Sequence, residues 1–115
     1  MFKLAYVSVA SRTLTSVDLQ NILESAITRN REDDITGILL FNGTNFMQVL
    51  EGPEAKVRAL FDDICEDDRH GNVVVIYSEK TGVREFDEAP MLLQIVPASY
   101  GVAPDGMTIT KDIAL

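Results

Sequence analysis

Thr44-Asn45-Phe46-Met47-Gln48-Val49-Leu50-Glu51-Gly52 reads as a strand that carries an amide where a core normally puts carbon. Alternation puts Phe46, Gln48 and Leu50 on one face and Met47, Val49 and Glu51 on the other. Gln48 therefore sits between two large apolar side chains. A buried carboxamide left unsatisfied costs about 1–3 kcal/mol, so its two donors and its acceptor need partners from elsewhere in the chain.

Working outward, Ile35 to Asn42 is a strand apolar on both faces, and Asn42-Gly43 is a hairpin signal that returns it directly into the Gln48 strand. On the other side, Gly52 and Pro53 stop the sheet and begin a helix, with Glu54 near its positive end. Val57, Leu60, Phe61 and Ile64 form its buried stripe. Asp62, Asp63, Glu66, Asp67 and Asp68 crowd its last turns, where the helix dipole disfavours acids. Such a local violation needs a reason or costs stability.

Nearer the N-terminus, Leu4 to Val9 forms a strand with Leu4, Tyr6 and Ser8 on one face and Ala5, Val7 and Val9 on the other. Thr15 or Ser16 caps a helix that starts with Asp18 in its first turn and runs to about Arg29. Leu19, Ile22, Leu23, Ala26 and Ile27 make its apolar stripe, and Asn30 to Asp34 is expected to be a polar loop. Asn72 to Ser78 gives a fourth strand, Lys80 to Glu88 a polar connection and Met91 to Val96 a fifth strand.

The order β-α-β-β-α-β with one further strand predicts an α+β, ferredoxin-like sandwich, a mixed five-stranded sheet with two helices on one face. The first and fourth strands are expected to lie between the others. Residues 1–96 make one domain, and 97–115 a tail ordered only by docking on the sheet or on a partner. Strands apolar on both sides need cover on the helix-free face as well, which predicts a homodimer or a docked tail.

The length of 115 residues suits a single core. A formal charge of −8 argues against nucleic acid, which asks for clustered basic residues. No apolar run approaches the roughly 18 residues of a membrane span, and no leader pattern opens the chain. One cysteine, Cys65, reads as a small helix residue in a reducing compartment, so the expected location is cytoplasmic. The acidic cluster offers oxygen ligands but reads as a solvated face, and no metal is expected.

Tyr6, Ser8, Gln48 and Leu50 share the helix-side face and converge where the helices can part, which is the form of a cofactor pocket. Leu4-Ala5-Tyr6-Val7-Ser8, Asn30 five residues before Ile35-Thr36-Gly37, Phe46 to Gly52, Asp67-Asp68-Arg69-His70 and a late Met91 together resemble the BLUF family of flavin-binding blue-light sensors, over roughly residues 2 to 96. The resemblance implies FAD as cofactor, with FMN or riboflavin as alternatives. It implies that Tyr6 bonds Gln48, that Gln48 meets the N5 and O4 edge of the flavin, and that Asn30 holds its pyrimidine side. Met91 would neighbour Gln48. Ser8, Leu50, Asp67, Arg69 and His70 would complete the cofactor-binding set. It further implies a photoreceptor without turnover, in which light drives electron and proton transfer from Tyr6, the Gln48 amide is left rotated or tautomerised, and flavin absorption shifts to the red. The signal would pass to a separate downstream protein.

Two positions depart from the family pattern. Ala89 stands where many members have tryptophan, and Asp63 where they commonly have an arginine for the flavin side chain and phosphate. Asp63 lies one turn from Asp67, so two acids are expected to repel a phosphate, with Arg31, Arg58 and Arg69 as available compensation. The expectation is weaker flavin binding, or binding limited to forms with little phosphate charge. A regulatory module without flavin is the alternative that Asp63 favours. A small acyl-phosphate hydrolase would need a basic glycine-rich loop, which the sequence lacks.

Overall fold

The computed structural model describes residues 1–86 and 91–95. Its elements are β1 (Phe2–Ala10), α1 (Ser16–Glu32), β2 (Thr36–Phe41), β3 (Asn45–Gly52), α2 (Glu54–Glu66), β4 (His70–Lys80) and β5 (Leu92–Ile95). They build a five-stranded sheet in the order β4-β1-β3-β2-β5, antiparallel except where β5 runs parallel to β2. β1 is interior as expected, but β4 is an edge strand and not an internal one. The Asn42-Gly43 hairpin explains this. Its partner β2 occupies one side of β3 and β1 the other, so β3 has no free edge, and the crossover through α2 delivers β4 to the open side of β1.

The alternation expected for β3 divides the molecule. Phe46 and Leu50 join Phe2, Leu4, Tyr6, Leu39 and Met91 in a core that the helices cover with Val57, Leu60 and Phe61. Met47 and Val49 join Ala5, Ile38, Leu40 and Phe86 in a second core on the other face. The two strands of the hairpin pass so closely that a Cβ on Gly37 would lie 2.0 Å from the Val49 carbonyl oxygen, so glycine is needed there. At the turn, Gly43 takes a φ of 99° while Asn42 Oδ1 accepts from the backbone N–H groups of Thr44 and Asn45.

Thr15 caps α1 in a reciprocal box with Asp18. The helix continues to Glu32, beyond the expected end at Arg29, and Asn30 lies in its last turn and not in a loop. Basic Arg29 and Arg31 suit that negative end. The chain leaves only at Asp34, whose φ is 58°, after the Ile35 N–H has bonded the Asn30 carbonyl at 2.8 Å.

The expected polar connection after β4 is more than that. Phe86 is buried in the second core and therefore covers part of the helix-free face from within the chain. Ala89, Val96 and the tail 97–115 lie outside the described residues, and with them the expected docking of the tail. Among the described residues no helix is long and apolar enough to cross a membrane.

Candidate functional site

Antiparallel pairing sets Tyr6 of β1 directly opposite Gln48 of β3. The Tyr6 hydroxyl donates to Gln48 Oε1, and Gln48 Nε2 donates to Met91 Sδ at 3.5 Å. A thioether can only accept, so the sulfur fixes the amide with its nitrogen toward Met91 and its oxygen toward the tyrosine. This answers where the partners of the buried amide come from. Burial pushes the Tyr6 phenol well above its ordinary pKa, so it holds its proton at neutral pH.

A cavity of about 190 Å³ opens above this pair, between the helices. Tyr6, Leu39, Phe46 and Gln48 form its floor. Ile22, Ala26, Arg29 and Asn30 line the α1 side, Leu60, Asp63 and Ile64 the α2 side, and Asp67, Arg69 and His70 close one end. Asn30 is buried there because α1 runs one turn further than its sequence suggests.

His70 accounts for part of the acidic helix end. Its Nε2 donates to the Ile64 carbonyl at 2.6 Å, satisfying a terminal acceptor of α2, and its Nδ1 lies 2.7 Å from Ser8 Oγ. Arg69 accounts for another part. Its Nε lies 2.9 Å and 3.1 Å from the two Asp67 oxygens, and this guanidinium holds the Asp67 carboxyl below its usual range. Asp63 is paired as well, with Arg29 Nη2 at 2.5 Å across the gap between the helices.

Of the residues named from the sequence, Tyr6, Asn30, Gln48, Asp67, Arg69 and His70 therefore come together around one cavity. Ser8, Leu50 and Met91 do not line it. Ser8 lies behind His70, Met91 behind Gln48, and Leu50 is fully buried in the core two residues along β3. The compensating cation for Asp63 is Arg29, which the sequence did not single out. Its spacing of three from Ala26 was the available signal, since both then face one way on a helix. Arg58 instead pairs with Glu54 and lies over the Phe2 ring at 4.5 Å.

The donor set fits the ring system of a flavin. Ile22, Leu60 and Ile64 supply apolar wall, and Gln48 and Asn30 present amides that can meet a heteroaromatic edge. The fit to phosphate is poorer, because the guanidiniums of Arg29 and Arg69 at the cavity already face carboxylates.

The chain is similar to several known proteins. The model of the BLUF family, described as sensors of blue light using FAD, matches residues 1–92. The blue light- and temperature-regulated antirepressor BluF of Escherichia coli (strain K12) is 43% identical over 75 residues, which are 65% of this chain and 19% of that protein. The chain spans less than a fifth of the length of the first curated relatives it matches. Among solved structures, the dark state of the BLUF protein BlrB superposes with a TM-score of 0.83 at 30% identity, covering 98% of this chain and 89% of that one. Klebsiella pneumoniae BlrP1 with FMN and cyclic diGMP gives 0.77 at 37% identity, over 82% of this chain and 25% of that one.

Proposed function

Because the chain belongs to the BLUF family, the sensors of blue light using FAD, we propose that a flavin ring occupies the cavity between α1 and α2 and that light is read by the chain of contacts Tyr6–Gln48–Met91. Bound flavin supplies blue-light absorption and an electron acceptor. Every other part of the switch belongs to side chains. The Tyr6 hydroxyl holds the transferable proton and aims it at Gln48 Oε1. Asn30 and Gln48 hold the polar edge of the ring, while Ile22, Leu60 and Ile64 exclude water. Rotation of the Gln48 amide exchanges a donor for an acceptor at each end. Its oxygen then faces Met91 Sδ, which has no hydrogen to give. The contact with Met91 therefore exists in one orientation of the amide only.

The observation that carries this reading is the buried amide held between a donor-bearing phenol and an acceptor-only sulfur. The test is an absorption spectrum of the purified protein with FAD, before and after blue illumination. A reversible red shift is expected. Gln48→Leu should keep flavin and lose the shift, and Tyr6→Phe should lose the productive photocycle. A normal photocycle in either variant rejects the switch.

The domain is a sensor, so no turnover is required of it. What it controls goes beyond the family. BluF is named an antirepressor and other relatives photoactivated adenylate cyclases, which supports a partner protein or further domain that receives the signal. We place Ser8, Leu50, Asp67, Arg69 and His70 in support of the cofactor site, in a domain spanning residues 1–96. We place the protein in the cytoplasm, in keeping with the free Cys65. A homodimer is supported by Val74 and Leu92, exposed apolar residues on the helix-free face. A monomeric mass at micromolar concentration would count against it.

A second reading, a regulatory module with weakened or lost flavin, is favoured by Asp63. The Arg29–Asp63 pair neutralises a cation that lines the cavity, so preference should move from FAD and FMN toward riboflavin. Equilibrium titration with the three flavins separates the readings.

A further inference from the structure

Three residues along β3 from Gln48, and on the opposite face of the sheet, Glu51 is a carboxylate with no solvent exposure at all. A carboxylate has about four acceptor sites. Those of Glu51 meet Thr36 Oγ1 at 2.9 Å, the Glu85 backbone N–H at 2.9 Å, the Phe86 backbone N–H at 2.5 Å and, at 3.9 Å, the Nζ of buried Lys3. Lys3 also bonds Glu85. Next to it, Arg84 donates to Thr36 Oγ1 at 2.8 Å and to the Asp34 carbonyl at 2.8 Å, and the Phe86 ring enters the second core.

Two consecutive backbone N–H groups bonded to one buried carboxylate fix the path of a chain, not merely its proximity. Five residues after Phe86 comes Met91, which reaches Gln48 from the other face of the sheet. We propose that Glu51 is a positioning residue for the light switch: by anchoring residues 84–86 to the central strand, it sets where Met91 Sδ meets Gln48 Nε2. β5 follows Met91 directly and, among the described residues, pairs with β2 over four positions. With its upstream side anchored, a Met91 displaced by rotation of the amide moves β5 and leaves the 84–86 segment in place. Thr36 and the charge of Lys3 would leave part of the acceptor capacity of Glu51 unfilled. The bonds to Glu85 and Phe86 give it the further role.

This inference rests on reading Tyr6–Gln48–Met91 as the switch, and the experiment separates the two. The full chain, loaded with FAD, is flashed with blue light and the return of the red-shifted absorption is followed. Glu51→Gln loosens Met91 in the dark orientation, so the shifted state should persist about fivefold longer, the factor expected for one hydrogen bond. Met91→Ala should lengthen it similarly, and adding Glu51→Gln to Met91→Ala should change nothing more. A normal lifetime in Glu51→Gln, or a full effect retained without Met91, overturns the role. A wild-type protein that binds FAD without shifting removes the switch and this role with it. Should Glu51→Gln fail to fold, Arg84→Ala carries the same test: a longer lifetime that disappears in the Met91→Ala background supports the anchor, and no change overturns it.

Discussion

The two faces of one strand are built on opposite rules. On the helix side, β3 offers Gln48, a neutral amide joined to a phenol and a sulfur at the floor of a cavity. On the other side it offers Glu51, a buried charge surrounded by donors from β1, β2 and the segment after β4. A neutral amide can exchange its ends at little electrostatic cost. A buried carboxylate cannot leave its donors without exposing a charge to carbon. One side of the sheet is therefore suited to change and the other to hold still.

The comparison is broken most directly by Glu51→Ala, which leaves Lys3 buried beside two unpaired N–H groups. Stability should fall by about 3–5 kcal/mol, read from urea unfolding. Gln48→Leu attacks the other face and leaves only the Tyr6 hydroxyl without an acceptor, so the loss should be about 1–3 kcal/mol while the red shift vanishes completely. A larger loss at Gln48 than at Glu51 would invert the contrast.

Smaller effects sharpen it. Asp63→Asn removes an exposed ion pair, so stability should change by less than about 1 kcal/mol. It leaves Arg29 with the longer Asp33 contact at 3.8 Å, however, and FMN should gain affinity severalfold over riboflavin in titration; an unchanged ratio would remove Asp63 as a determinant. The pH dependence is smaller still. The folded-state pKa of Tyr6 is raised, so its contribution is complete below the ordinary phenol value of about 10 and is lost as pH climbs toward the folded value. The folded-state pKa of Asp67 is lowered by Arg69, so its contribution is present above about 4 and fades as pH falls. Thermal melts across pH should thus be flat between these limits as far as these two groups are concerned.

Periodicity made the sheet legible. The division of Phe46, Gln48 and Leu50 from Met47, Val49 and Glu51 follows from a period of two and needs no tertiary knowledge. The Asn42-Gly43 turn carried its own signature, and the resemblance supplied Tyr6 as the partner of Gln48. Less visible was whatever depends on distant partners. Asn30 looked like loop because the end of α1 is polar, yet its carbonyl bonds Ile35 and its side chain is buried. Nothing in the sequence marked the role of Glu51, because its donors, Glu85 and Phe86, lie more than thirty residues away. The place of β4 at the edge was decided by which side of β3 the hairpin had already taken.

Arg29 and Asp63 join the two helices across the cavity mouth with side chains roughly half exposed. Water and dissolved ions reach such a pair, and salt weakens ion pairs that solvent reaches. The clasp over the cavity is therefore set by the medium as much as by the fold. Cofactor exchange becomes a property that salt can tune, while the hydrogen bonds beneath it are shielded from the same ions.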